Sequence, residues 1–284
     1  MIGVRHPCPE ETALLRAMFR QIFADSDAYL DVFFGRKYHP SRALLAEVDG
    51  EAAGHLFWAP YDLRCGGIRY SAAYICGVAT LPAFRGRSVM AELIRRAHAE
   101  LAAAGVDFSV LIPAEEGLFR LYARHGYETV FDLSRTRAPM PPPRETGFSL
   151  HPVARGRELA ADSAAFLASL PMAICQSADD LDAVAEELST GGGFAYRIRR
   201  AHGAQTGYIL GRADGDKLYV LEHAGPADLV RDVAPLLSAR FPGVRELVAL
   251  APGADDADPF GMAAALRAAR LPAGMRGYMN LMLN

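Results

Sequence analysis

Two glycine-marked stretches recur at nearly the same spacing, so the two halves of this chain are expected to fold alike. In the first half Gly50-Glu51-Ala52-Ala53-Gly54 precedes a strand-like run, and Gly126-Tyr127 follows 76 residues after Gly50. In the second half Gly203-Ala204-Gln205-Thr206-Gly207 precedes another such run, and Gly277-Tyr278 follows 74 residues after Gly203. A repeat of this length is a domain rather than a small motif. The 284 residues have room for two domains of about 140 each, a common domain size. Between the halves, four of the five residues 139–143 are proline, which removes backbone donors and favours an extended linker. The predicted domains are 1–138 and 148–284, joined by a linker over 139–147.

Hydrophobic periodicity supplies the elements. Leu14, Leu15, Met18, Ile22 and Phe23 have helical spacing within 10–24, and a short second helix is expected near 29–34 after Asp25, Asp27 and Asp31. Strands are predicted at 43–48 and 53–59, joined by Asp49-Gly50, a dipeptide that tolerates positive φ and suits a tight hairpin. A third strand at 68–80 leads into Arg85-Gly86-Arg87-Ser88-Val89-Met90. From Ser88, Val89, Leu93, Ala97 and Leu101 recur every fourth residue, giving an amphipathic helix ended by Gly105. A strand at 107–113, a helix at 118–124 and a strand at 127–137 complete the first half. The second half predicts strands at 194–199, 207–212 and 217–223, a helix at 227–240, a strand at 246–251, a helix at 260–270 and a last strand at 278–284.

The turn before the long helix is the candidate binding element. The first amides of a helix have no intrahelical partner, and the positive end of the dipole lies there, so phosphate oxygens are attracted. Arg85 and Arg87 add two charges. This stretch resembles the acyl-CoA-binding motif of the GNAT superfamily of N-acetyltransferases, Gln/Arg-x-x-Gly-x-Gly/Ala, with Arg85 first, Ser88 where the family has glycine and Met90 where it has Gly or Ala. The order of elements over 10–137 is also that of the family. Nearest is the enhanced-intracellular-survival branch, in which a larger apolar residue at the Met90 position is usual.

The resemblance implies an α/β (α+β) fold: two tandem GNAT-like domains, each a mixed, mostly antiparallel sheet flanked by helices. It implies acetyl-CoA as co-substrate, with Arg85, Gly86, Arg87, Ser88, Val89 and Met90 around the diphosphate and Val78, Ala79 and Thr80 alongside the pantetheine arm. Leu121-Tyr122-Ala123-Arg124-His125-Gly126-Tyr127 looks like the family's Leu-Tyr-x-Lys-x-Gly-Phe segment, which makes Tyr122 the general acid for the departing thiolate. Cys76 is read as a small buried apolar residue, since transfer in the family is direct attack on the thioester. The region of Asp25, Asp27 and Asp31 forms one wall of the family's acceptor pocket, where acidic groups would attract a cationic amine.

Presenting a lysine-like amine uncharged at pH 7 costs roughly 4–5 kcal/mol, so a base is expected. No Asp or Glu lies on 72–80. In the resembled branch a terminal carboxylate reaches the active site, and by that resemblance the carboxylate of Asn284 is the candidate base. In the second copy the corresponding turn, His223-Ala224-Gly225-Pro226-Ala227-Asp228, has lost a donor at Pro226 and gained a negative charge, and it is read as degenerate.

A net charge of −3 and a pI near 6.2 argue against a nucleic-acid partner. The four cysteines and eight histidines form no metal-ligand spacing, which predicts no metal and a reducing compartment. No run reaches the roughly 18 apolar residues of a membrane span, and the first residues lack a signal sequence's apolar core, so a soluble cytoplasmic protein is expected. The predicted function is acetyl transfer to a primary amine of a small molecule or peptide. Alternatives are a non-catalytic acyl-CoA sensor and a tandem acyltransferase with a larger acceptor, similar to mycothiol synthase; the oligomeric state stays open, a homo-oligomer included.

Overall fold

Residues 1–201, 203, 205–253 and 257–282 are described by the computed structural model. The chain begins with strand β1 (Ile2–Arg5), helices α1 (Thr12–Phe23) and α2 (Asp27–Arg36), and strands β2 (Ala43–Val48), β3 (Glu51–Cys65) and β4 (Ile68–Thr80). Helix α3 (Val89–Ala103), strand β5 (Phe108–Leu111), helix α4 (Glu116–Ala123) and strand β6 (Glu128–Pro139) follow. The later part runs β7 (Phe148–Pro152), α5 (Ala160–Ala168), β8 (Met172–Cys175), α6 (Ala178–Thr190), β9 (Gly193–Arg200), β10 (Gln205–Asp214), β11 (Lys217–Ala224), α7 (Leu229–Arg240), β12 (Glu246–Pro252) and β13 (Asp258–Ala265).

Local chemistry explains several of these boundaries. Asp49 and Gly50 both have positive φ, 52° and 89°, as the tight hairpin between β2 and β3 requires. Ser26 caps α2 by accepting a bond from the Tyr29 amide at 3.2 Å, and Ser177 and Asp180 form a reciprocal capping box at the start of α6. On α3 the buried residues include Val89, Leu93, Ala97 and Leu101, the predicted face.

The chain divides into two compact units, one of Met1–Val130 with Phe260–Met275, the other of Phe131–Pro259 with residues 276–282. In the first, the strand order is β1-β2-β3-β4-β5-β13. All neighbours are antiparallel except β4 and β5, which are parallel. Leu45 and Phe57 face a core made with Leu15, Phe19, Leu30 and Phe33 of α1 and α2. Their strand neighbours Leu44, Leu56 and Trp58 face the opposite way, toward Leu93, Ile94 and Ala97 of α3.

The second unit repeats this plan in the order β7-β9-β10-β11-β12-β6, again antiparallel except for β11 with β12. Its core packs Val233 and Leu237 of α7 on Ile198, Ile209 and Val220. Each unit thus takes its sixth strand from the other half of the sequence. The boundary between units falls at Val130, before the proline run, because β6 continues to Pro139 and pairs with β12 from Leu133 to Pro139.

Two expectations about the second half are corrected. Residues 258–265 form a strand where a helix was expected over 260–270. The run Ala263-Ala264-Ala265 favours helix locally, but Met262–Ala265 pairs with Leu111–Phe108 of β5 and Met262, Ala263 and Ala264 are all buried, so tertiary packing decides. Of the last strand expected over 278–284, residues 283 and 284 lie outside the described residues, and the described part shows single bridges at Gly277 and Tyr278. Tyr278 instead points its hydroxyl at Glu222, which also accepts from Tyr208, both at 2.8 Å. Burial pushes the enclosed Glu222 carboxyl upward, and the two phenols satisfy it.

One glycine is required at the same place in each unit. A Cβ on Gly54 would lie 2.5 Å from the Ala79 carbonyl oxygen, and one on Gly207 would lie 2.0 Å from that of Ala224. Gly54→Ala is therefore expected to destabilise the protein by about 1–3 kcal/mol in urea unfolding, because backbone and the Val89 and Leu93 side chains must move. An unchanged midpoint would contradict this packing.

Candidate active site

The site grows from the parting of two parallel strands. β4 pairs with β5 only over Ala72–Tyr74 with Phe108–Val110, and β5 ends at Leu111 while β4 runs on to Thr80. Among the described residues the last stretch of β4 therefore has no strand paired on that side, an edge onto which an extended group can add as a further strand. Val78 and Thr80 are half-buried there and Ala79 is buried.

On its other side this segment is held by β3 through a bulge. His55 pairs with Ala79 but Phe57 pairs with Cys76, so Gly77 and Val78 together oppose Leu56. Gly77 has φ +54°, and a Cβ there would meet Phe57 at 2.7 Å and Phe19 at 2.8 Å. The fully buried His55 fixes the bulge, since its Nδ1 lies 2.8 Å from the Gly77 carbonyl oxygen and so carries the proton, donating it to that oxygen. Burial lowers His55 to about 4, its ring stacks on Phe19, and its Nε2 has no partner among the described residues.

After Thr80 comes a short 3-10 turn, Pro82–Phe84, and then Arg85, Gly86, Arg87 and Ser88, all exposed. Gly86 and Ser88 have φ of +76° and +63°. Ser88 is thus left-handed at the N-cap of α3, with no side-chain capping bond. That conformation suits glycine and costs a residue with a Cβ about 1 kcal/mol. It gives a physical reason for the glycine of the resembled motif. Among the described residues the amides of Gly86, Arg87 and Ser88 have no backbone acceptor, and the first bond of the helix runs from Glu92 to the Ser88 carbonyl. Arg87 lies over the Phe84 ring, and Arg85 has no ionic partner among the described residues.

Tyr122 lies on α4, 7% exposed, edge-on to Tyr127 at 5.7 Å. Burial pushes its phenol up to about 12, so it stays protonated throughout the neutral range, and among the described residues its hydroxyl has no hydrogen-bond partner. Tyr127 is held instead by Ser109 at 2.5 Å and His98 at 2.9 Å. Burial raises Tyr74 well above its ordinary value, and the phenols of Tyr29, Tyr61 and Tyr122 lie near enough to disfavour its ionisation further. Lys37 donates to the Tyr61 hydroxyl at 2.9 Å. Cys76 is pushed up to about 12 by burial, with Lys37 opposing, and remains a thiol rather than a nucleophile.

On the expected acidic wall, burial raises the Asp25 carboxyl above its ordinary value. Asp27 pairs with Arg16 and Arg20, and Asp31 with Arg16 at 2.8 Å, so these carboxylates are already engaged. Asn284 lies outside the described residues. Sequence reasoning missed His55, Lys37, Tyr61 and Tyr74. Of these only the first left a signal, an isolated glycine at position 77 inside a strand, which marks a bulge needing an anchor.

Residues 4–130 match the family profile described as acetyltransferase (GNAT) domain. No curated protein matches the sequence. Solved structures match over most of the chain. A GCN5-related N-acetyltransferase of Anabaena variabilis is 17% identical, with 94% of this chain and 73% of that one covered and a TM-score of 0.74. The Eis protein of Mycobacterium abscessus is 16% identical over 94% and 74%, with a TM-score of 0.65. N-myristoyltransferase of Saccharomyces cerevisiae, with bound myristoyl-CoA, is 10% identical over 95% and 83%, with a TM-score of 0.60. At these identities the likeness is one of fold. No described helix is long and apolar enough to cross a membrane.

Two measurements test the local geometry. Ser88→Gly should raise stability by about 1 kcal/mol by removing the left-handed strain; a lower melting midpoint would contradict it. Because the folded pKa of His55 lies near 4 and its ordinary value is 6.5, the unfolded chain binds the proton first. The contribution of neutral His55 is therefore present above pH 6.5 and lost as pH falls toward 4, by about 3 kcal/mol. His55→Gln should flatten the fall in urea-unfolding stability over that range, and an equally steep fall would rule out His55 as its source.

Proposed function

We propose that this chain, whose residues 4–130 match the acetyltransferase (GNAT) domain profile, transfers the acetyl group of acetyl-CoA to a primary amine of a small molecule or peptide. The observation that carries the reading is the free edge of β4 running into a turn of unpartnered amides, with the Tyr122 hydroxyl unengaged nearby. Amides at 86–88 and the positive end of α3, with Arg85 and Arg87, suit a diphosphate. Val78, Ala79 and Thr80 offer backbone groups to the amides of a pantetheine arm. Val89 closes the core beneath the turn and Met90 packs beside it.

The acceptor nitrogen attacks the thioester carbonyl, the carbon–sulfur bond breaks, and one proton passes from nitrogen to the sulfur of CoA. Tyr122 donates to the leaving sulfur and is reset by the proton that the nitrogen gives up. With a pKa near 12 it stays a donor at every neutral pH. In this proposal the carboxylate of Asn284 takes the acceptor's first proton, and the second unit, whose corresponding helix start has Pro226 and Asp228, does not bind a diphosphate.

Tyr122→Phe should lower kcat by about 100-fold or more while the calorimetric affinity for acetyl-CoA stays within about twofold. Unchanged turnover would remove Tyr122 as the acid. Release of CoA thiol over an amine panel separates transfer from sensing: saturable binding with no release on any amine favours an acyl-CoA sensor, and no binding rejects both. Residues appended after Asn284 should reduce kcat, and full activity in the extended protein would exclude its carboxylate.

A further inference from the structure

The second unit repeats the six-strand order of the first, adds β8 between α5 and α6, and departs from it in one helix. In the first unit α4 follows β5 and packs Leu118, Phe119 and Tyr122 against the α3 core. In the second, β12 is followed by β13, and no helix intervenes among the described residues. Residues of α7 border a cavity of about 420 Å³. Its apolar wall is formed by Val230, Ala234 and Pro235 of α7, Leu247 and Ala249 of β12, and Ala138 of β6. This volume lies within the range of small-ligand pockets.

The polar groups on the lining define the ligand's charge. Arg231 is paired with Asp228 at 3.0 Å and with Asp232. His223 is lowered by burial and is uncharged at neutral pH. Arg144 is exposed, lines the cavity, and has no ionic partner among the described residues. Arg144, a lining guanidinium without an ionic partner among the described residues, lies beside an apolar wall and matches a single anionic head on an apolar body, and its planar fork suits a carboxylate.

We propose that this cavity binds a small carboxylate with an aliphatic body, its head on Arg144 and its chain along Val230, Ala234, Leu247 and Ala249. The site is independent of acetyl transfer and lies wholly within the second unit. The test is calorimetry of the full chain with octanoate at pH 7.5, with octanol as the neutral control and with saturating CoA present, so that the amino-terminal unit is occupied.

One saturable octanoate site is expected, with octanol at least tenfold weaker. Arg144→Ala, at an exposed position that packing does not constrain, should weaken octanoate at least tenfold. Ala249→Phe, which fills the cavity, should abolish binding while circular dichroism stays unchanged. Absence of saturable heat overturns the proposal, as does equal affinity for octanol or full affinity in Arg144→Ala. If Ala249→Phe does not fold, the Arg144 comparison decides alone.

Discussion

The pairing of β4 with β5 lasts for three residues on each strand and then stops, and the chemistry proposed for the amino-terminal unit depends on that interruption. A parallel pair that continued to Thr80 would satisfy its own backbone and leave nothing for a ligand. Because β5 ends at Leu111, the later residues of β4 keep peptide groups free at the point where the chain turns into α3. An unpaired edge is ordinarily a hazard, since it invites pairing with another chain. Here it is short and leads directly into a cationic turn, the arrangement on which the proposed binding of an extended anionic ligand rests.

A free strand end needs to be held from its other side, and the His55–Gly77 contact does so. The bulge gives up one regular ladder position and regains a bond from a buried imidazole, stacked on Phe19 and unable to protonate without desolvation cost. Its neutral form is what lets Nδ1–H serve as a fixed donor. The contact expected to be sensitive to acid and the strand end proposed to bind the coenzyme are therefore neighbours in the chain.

Much of this was legible in the sequence where the signal is local. The period of Val89, Leu93, Ala97 and Leu101 marked α3, Asp49-Gly50 marked a hairpin, and the paired glycine runs marked a fold drawn twice. Gly54 and Gly207 turn out to stand under equivalent carbonyls, a shared steric need that explains why both runs end in glycine. What escaped was non-local. The alanines of β13 favour helix until β5 is there to pair with them, and nothing in residues 128–139 announces that their partner is β12. The left-handed backbone of Ser88 is set by the turn as a whole rather than by serine, and Lys37 reaches Tyr61 from the end of a different element.

The crossed sixth strands have a consequence for biosynthesis. The first unit lacks β13 until residue 265 has been made, and the chain emerges at about 5–20 residues per second. For on the order of ten seconds after the codons for α4 are read, the growing polypeptide presents the bare border of β5 to the cell. A nascent chain in that state is open to capture by any strand that arrives first, including the β6 segment already beside it in sequence. Ribosome pausing or a holding chaperone in that interval would influence which of the two arrangements is reached.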